Sequence, residues 1–165
     1  MVLYLYANLR GLMLRKKKKE ALIKEGFKSL ERWVNAKNFE VDYEYNTVDY
    51  IDEDERQIII NTRSGAEIQL YALLHECGHL IIRKSKDYKS KYPVSCKLQS
   101  KNKQIEGSIA YKMDVVREEI EAWDKGKDLA KRLNIHLDEQ KFLNLVNKCV
   151  MTYIEWAAKP GYSKS

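Results

Sequence analysis

Two prolines and seven glycines are all that interrupt the 165 residues. So few turn formers argue against a collagen-like repeat and against a Pro/Gly-rich low-complexity chain. Cysteine is as sparse: Cys77, Cys96 and Cys149 are odd in number and show no C-x-x-C spacing. A disulfide framework and an all-cysteine metal site are therefore not expected, and a reducing, cytoplasmic setting is. No run of 18 apolar residues occurs, so neither a membrane-spanning helix nor a membrane partner is predicted. The N-terminus is apolar first and basic afterwards, from Arg15 to Lys19. A secretory signal has the opposite order, and the segment is read as part of the mature fold.

What is present suits one domain over 1–165. Hydrophobic residues make up 44% of the chain, enough to bury a core without covalent staples. The net charge of +6 is concentrated in Arg15–Lys19 and in the stretch from Lys84 to Lys103. Such charge would suit nucleic acid or an acidic protein. No aromatic interleaving and no nucleic-acid motif accompanies it, so a solvated face is the preferred reading.

Hydrophobic spacing gives the elements. Leu22, Ile23, Phe27, Leu30, Trp33 and Val34 recur at helical intervals over about 17–36. Phe39, Val41, Tyr43 and Tyr45 alternate with polar residues and predict a half-buried strand. After a polar turn around Asp52–Glu55, the β-branched run Gln57–Asn61 predicts another. Ser64-Gly65-Ala66-Glu67 fits a capping box and opens a strongly apolar helix over 66–82. Residues 84–107 are Lys/Ser-rich without a period and predict a mobile loop. Two helices follow, over about 110–133 and from an Asp138 N-cap to 158. The expected fold class is α+β, a small sheet packed on a central helix with two further C-terminal helices.

Within that central helix stands His75-Glu76-Cys77-Gly78-His79. Residues i and i+4 share one helix face, so the two imidazoles can converge on one metal ion, with Glu76 beside them as a general base. A five-residue pattern can arise by chance. Here, however, two of only three histidines fall in it, on a helix with its own start signal. Gly78 is a poor helix residue and predicts close approach of another element. Cys77, two residues from each ligand, is expected to be a core thiol.

A catalytic zinc needs a third protein ligand. The position six residues after His79 is Ser85, so a three-His pattern fails; His136 falls between two helices and Cys96 in the loop. The carboxylates Glu118, Glu119 and Glu121 remain. Glu119 lies three and four residues from Val115, Val116, Ala122 and Trp123, inside the apolar stripe, whereas Glu118 and Glu121 neighbour other charged residues. A carboxylate on a buried face needs a partner, which makes Glu119 the expected third ligand and the other two solvent-facing. A shifted helix register, with Glu119 exposed, remains the alternative.

LLHECGHL (73–80) and the later EIEAW (119–123) resemble the ImmA/IrrE family of small metallopeptidases, found in phages and mobile elements, and the gluzincins more broadly. The likeness covers about 57–133. Trp123 stands where the family pattern has Asn, and no Leu-Leu-Met-Pro follows. The resemblance implies a zincin-like domain with Zn²⁺ on His75, His79 and Glu119, and Glu76 as catalytic acid/base. It implies hydrolysis of a peptide bond in a protein substrate, a regulatory protein among the family's targets. It also suggests the Ile58–Asn61 strand as a pairing edge for an extended substrate. Tyr111 is one candidate among 11 tyrosines for steadying the oxyanion. The competing reading is a non-enzymatic zinc-stabilised regulatory protein associated with nucleic acid or a polymerase. A DNA-associated protease of the SprT type would need a third histidine that the chain does not offer.

Overall fold

The computed structural model describes residues 2–97 and 103–159. It is α+β and divides into two compact units: the chain up to Ala72 with Ala130–His136, and Leu73–Leu129 with the chain from Leu137 onward. No described helix is long and apolar enough to cross a membrane.

The first unit opens with α1, Val2–Asn35. It begins fifteen residues before its apolar period does. Residues 2–16 show no amphipathic stripe, yet Leu, Met, Lys and Arg are all strong helix formers and no proline interrupts them. The lack of a stripe shows in Leu12, Met13 and Leu14, which are consecutive and all exposed. Once the period starts, Leu30 and Val34 are fully buried.

Strands β1 (Glu40–Glu44), β2 (Tyr50–Asp52) and β3 (Gln57–Asn61) form one sheet in the order β1-β3-β2. β1 runs parallel to β3 and β2 antiparallel to it. The strand expected to offer an edge to substrate is therefore the middle one, with both sides already paired. Its run Ile58-Ile59-Ile60 is buried throughout, as a central strand covered on both faces should be. The sequence missed β2, which has only three residues and no room for alternation. Local chemistry fixes it: the Asp52 carboxylate accepts from the amides of Asp54 and Glu55 at 3.0 and 2.9 Å, and Arg56 takes a positive φ of 55°. Asn61 closes the other end, donating to the Thr47 carbonyl while its amide donates to Asp49, both at 2.7 Å.

Helix α2, Ala66–Arg83, starts where the capping signal places it, but the Gly65 carbonyl, not the Ser64 hydroxyl, accepts from its early amides, those of Ile68 and Gln69. Glu67 of that signal meets the Lys19 ammonium at 2.7 Å and accepts from Tyr71 at 3.3 Å. The second unit takes α2 from Leu73 onward, then α3 (Tyr88–Lys91), a 3-10 turn (Ser95–Lys97), α4 (Lys103–Glu106), α5 (Ile109–Arg132) up to Leu129, and α6 (Glu139–Ala158). Asp138 caps α6 as expected, accepting from the Lys141 amide at 3.2 Å.

The stretch 84–107, read as a mobile loop, thus carries three helical pieces; 98–102 lie outside the described residues. Each piece is a single turn, too short for a period to show. Their attachment is both apolar and polar: Tyr92 is buried in a cluster with Ile82 and Ala122 and donates to Glu121 at 2.6 Å, and the amides of Val94 and Ser95 donate to Asp114 at 2.8 and 3.2 Å.

Candidate metal centre

Two glycines set how closely α2 and α5 pack. A Cβ on Gly78 would overlap the carbonyl oxygen of Ala122 and stand 2.7 Å from its carbon. A Cβ on Gly126 would stand 2.5 Å from the carbonyl oxygen of Leu74. The expectation for Gly78 is met, and Gly126 answers it from the facing helix. Backbone against backbone, α5 brings the side chains of Glu118, Glu119 and Trp123 against His75 and His79 of α2.

Both imidazoles turn the same way, with Nε2 atoms 3.2 Å apart and ring centroids 4.6 Å apart. Glu119 reaches between them: Oε2 lies 3.1 Å from His75 Nε2 and Oε1 3.5 Å from His79 Nε2. The ligand atoms of His75, His79 and Glu119 all fall within 4.8 Å of one another. Glu119 is 9% exposed and His79 5%, so the expected burial of Glu119 holds and the shifted register does not. His136, by contrast, is exposed. Cys77 is a fully buried thiol whose pKa burial pushes up.

The electrostatics favour positive charge here. Burial disfavours charge on His79, but hydrogen bonds to Glu118 and Glu119 and the charges of Glu76 and Glu119 outweigh it and raise its pKa to about 9. Burial likewise opposes charge on Glu119, and the two histidines overcome it, lowering the pKa to about 2. Glu119 Oε2 has no well-directed hydrogen bond despite its short approach to His75. Two imidazole nitrogens and a poorly satisfied buried carboxylate oxygen facing one point fit a divalent metal ion, with an open position left for water or substrate.

Outside this triad, the structure corrects one expectation. Glu118 was expected to face water, yet it is 6% exposed. Its Oε1 lies 3.2 Å from His79 Nδ1 and accepts from Arg83 Nε at 3.1 Å; its Oε2 accepts from the Tyr88 hydroxyl at 3.1 Å. Glu121 is also half-buried, against Lys91 and Tyr92. The acidic face of α5 is thus covered, by donors from residues 83–97. That covering is polar and non-local, and hydrophobic spacing along α5 carries no trace of it. A carboxylate on Nδ1 holds the tautomer that leaves Nε2 free for a metal.

Three further residues complete the surroundings. The Trp123 ring stacks on His75, with centroids 4.2 Å apart and planes 22° apart, and meets Phe142 edge-on at 5.6 Å. Glu76 is 6% exposed, and its charge acts on both His79 and Tyr153. Tyr153, from α6, stands next to the Glu119 carboxylate; burial, then the charge of Glu119, push its pKa up, so the hydroxyl keeps its proton. Tyr111, the sequence candidate, stands edge-on to Trp156 with centroids 6.3 Å apart. Tyr153 was legible only as one more position in the stripe that Phe142, Leu145, Val146, Cys149, Val150, Tyr153 and Ala157 form along α6. A hydroxyl in such a stripe needs a polar partner, and that was the available signal.

No protein-family model matches the chain, and neither the curated proteins nor the solved structures yield a match.

Proposed function

We propose that this chain is a zinc-dependent endopeptidase acting on a protein or peptide substrate, with a zincin-like site. The observation that carries the proposal is the meeting of Glu119 with the Nε2 atoms of His75 and His79, from two helices locked together at Gly78 and Gly126. The three side chains would hold the ion. When bound, Zn²⁺ supplies Lewis-acid polarisation of a carbonyl and acidifies water.

The remaining work falls to the chain. Glu76, next to a ligand and buried in the same site, takes the proton of the attacking water and returns it to the leaving amine nitrogen. Glu118 fixes the His79 ring, and Trp123 fixes the His75 ring from its face. The neutral hydroxyl of Tyr153 is a donor available to the oxyanion. The resemblance to ImmA/IrrE-like enzymes adds a regulatory protein as the substrate class.

The test compares wild type with Glu76→Gln. Elemental analysis should find one zinc per chain in both, while proteolysis falls by about 10²–10⁴-fold in the variant. Wild type that takes up no zinc from zinc-containing buffer would end the metal reading. Equal function of the two proteins would favour a zinc-stabilised regulatory module.

A further inference from the structure

A cavity of about 370 Å³ lies between α5 and α6, lined by Tyr111, Val115, Thr152, Tyr153 and Trp156. Among the described residues its lining contains no charged side chain. The nearby Lys112 is buried, and its ammonium is committed to the carbonyls of Ala157, at 3.4 Å, and Lys159, at 2.5 Å. That ammonium also lies 5.7 Å from the centroid of the Trp156 ring, which Tyr111 meets edge-on. The aromatic wall is held from two sides.

The cavity and the metal centre are neighbours along α5. Tyr153 lines it and stands next to the Glu119 carboxylate. Val115 lies one helical turn before Glu119 on the same face of α5, a separation of about 6 Å along the axis. An extended peptide advances about 3.3 Å per residue. A side chain at or next to a bond cleaved at the metal centre is therefore within reach of the cavity. The volume lies at the small end of the range for ligand pockets, roughly 300–1,000 Å³, and suits one large side chain.

We propose that this cavity is the specificity subsite of the peptidase, receiving an apolar or aromatic side chain of the substrate residue flanking the scissile bond. The assignment rests on the peptidase reading. It names Val115, Thr152 and Trp156 as residues that select substrate without taking part in the chemistry.

Two measurements test it. Thr152 is exposed on α6, so Thr152→Trp fills the cavity without disturbing a core. Zinc-loaded wild type, given a peptide library, should cleave beside Phe, Leu, Met or Trp at one fixed position. In Thr152→Trp the KM for a Phe peptide should rise at least about tenfold, while a matched Gly peptide is cleaved as before. Cleavage without apolar preference, or a preference unchanged in the variant, overturns the proposal.

The second measurement needs no turnover. Short Phe and Ala peptides are titrated into zinc-loaded Glu76→Gln, following tryptophan fluorescence. A saturable response to Phe, absent for Ala and lost in the Glu76→Gln/Trp156→Phe double variant, supports the subsite. No saturable response overturns it. A wild type that cleaves nothing removes the peptidase reading and the subsite assignment with it; a saturable Phe response then shows an apolar side-chain site that serves no cleavage.

Discussion

Gly78 and Ala122 touch backbone to backbone: there is no room at Gly78 for even a methyl group, because the Ala122 carbonyl occupies that space. Gly78 lies one residue before His79, and Ala122 three residues after Glu119. The contact that brings the helices together therefore lies within one turn of the ligands on both. A glycine in a helix interior costs about 1 kcal/mol relative to alanine. Here that cost is offset by a crossing close enough for one carboxylate to reach two histidines.

Gly78→Ala should reverse the usual sign of a glycine-to-alanine change in a helix. The clash is with backbone, which cannot rotate away as a side chain can, so we expect a loss at the upper end of overpacking, about 3 kcal/mol. Denaturant unfolding reads the stability, and a zinc titration reads the site. Both should deteriorate together. A Gly78→Ala protein as stable as wild type would mean that the two backbones can separate at little cost.

The difference between what the sequence disclosed and what it hid follows the range of the interactions. His75, Glu76, His79 and Glu119 were legible because helical periodicity fixes which residues share a face, and a carboxylate in an apolar stripe stands out. Gly78 was legible because it is a poor helix residue. Glu118 was not: its burial depends on Arg83 and Tyr88, thirty and more residues away, in a stretch with no period of its own. β2 was hidden by its brevity, and with it the central position of β3. The first half of α1 was hidden because its residues favour a helix without marking a face.

Glu118→Ala should loosen the metal site more than the fold. Removing the acceptor on His79 Nδ1 frees the ring to rotate and to take the other tautomer. Losses of about 10–100-fold in metal affinity are typical for such outer partners. Glu118→Gln keeps an acceptor and should recover part of that loss. Competition with a chromophoric chelator measures it. Equal affinity in wild type and Glu118→Ala would show that packing alone orients His79.

Lys112 is the buried cation at the end of α6, where its ammonium meets the carbonyls of Ala157 and Lys159. Helix C-terminal carbonyls carry partial negative charge and lack intrahelical partners. Lys112→Met keeps the stem and removes the donor. Because α6 ends partly exposed, water can replace some of the lost bonding, and we expect a modest loss of about 1 kcal/mol. Amide exchange should quicken over the last turn, 155–158, while the middle of α6 is unaffected. Uniformly faster exchange along α6 would show that Lys112 supports the whole helix rather than its end.

The pH dependence of the metal-free protein should oppose that of the zinc-loaded one. For His79 the folded pKa of about 9 lies above the ordinary 6.5, so its contribution to stability is complete below 6.5 and is lost as pH rises through 9. For Glu119 the folded value of about 2 lies below 4.5, so its contribution is present above 4.5 and is lost as pH falls toward 2. With chelator present, melting temperature should therefore fall on the alkaline side between pH 7 and 9. Zinc requires the deprotonated imidazole and displaces that proton, so its apparent affinity should rise about tenfold per pH unit until pH 9. The stabilisation that zinc confers then grows where the metal-free protein weakens. A zinc affinity that stays flat between pH 6.5 and 8.5 would show that no ligand proton is released, and that His79 is already neutral at pH 7.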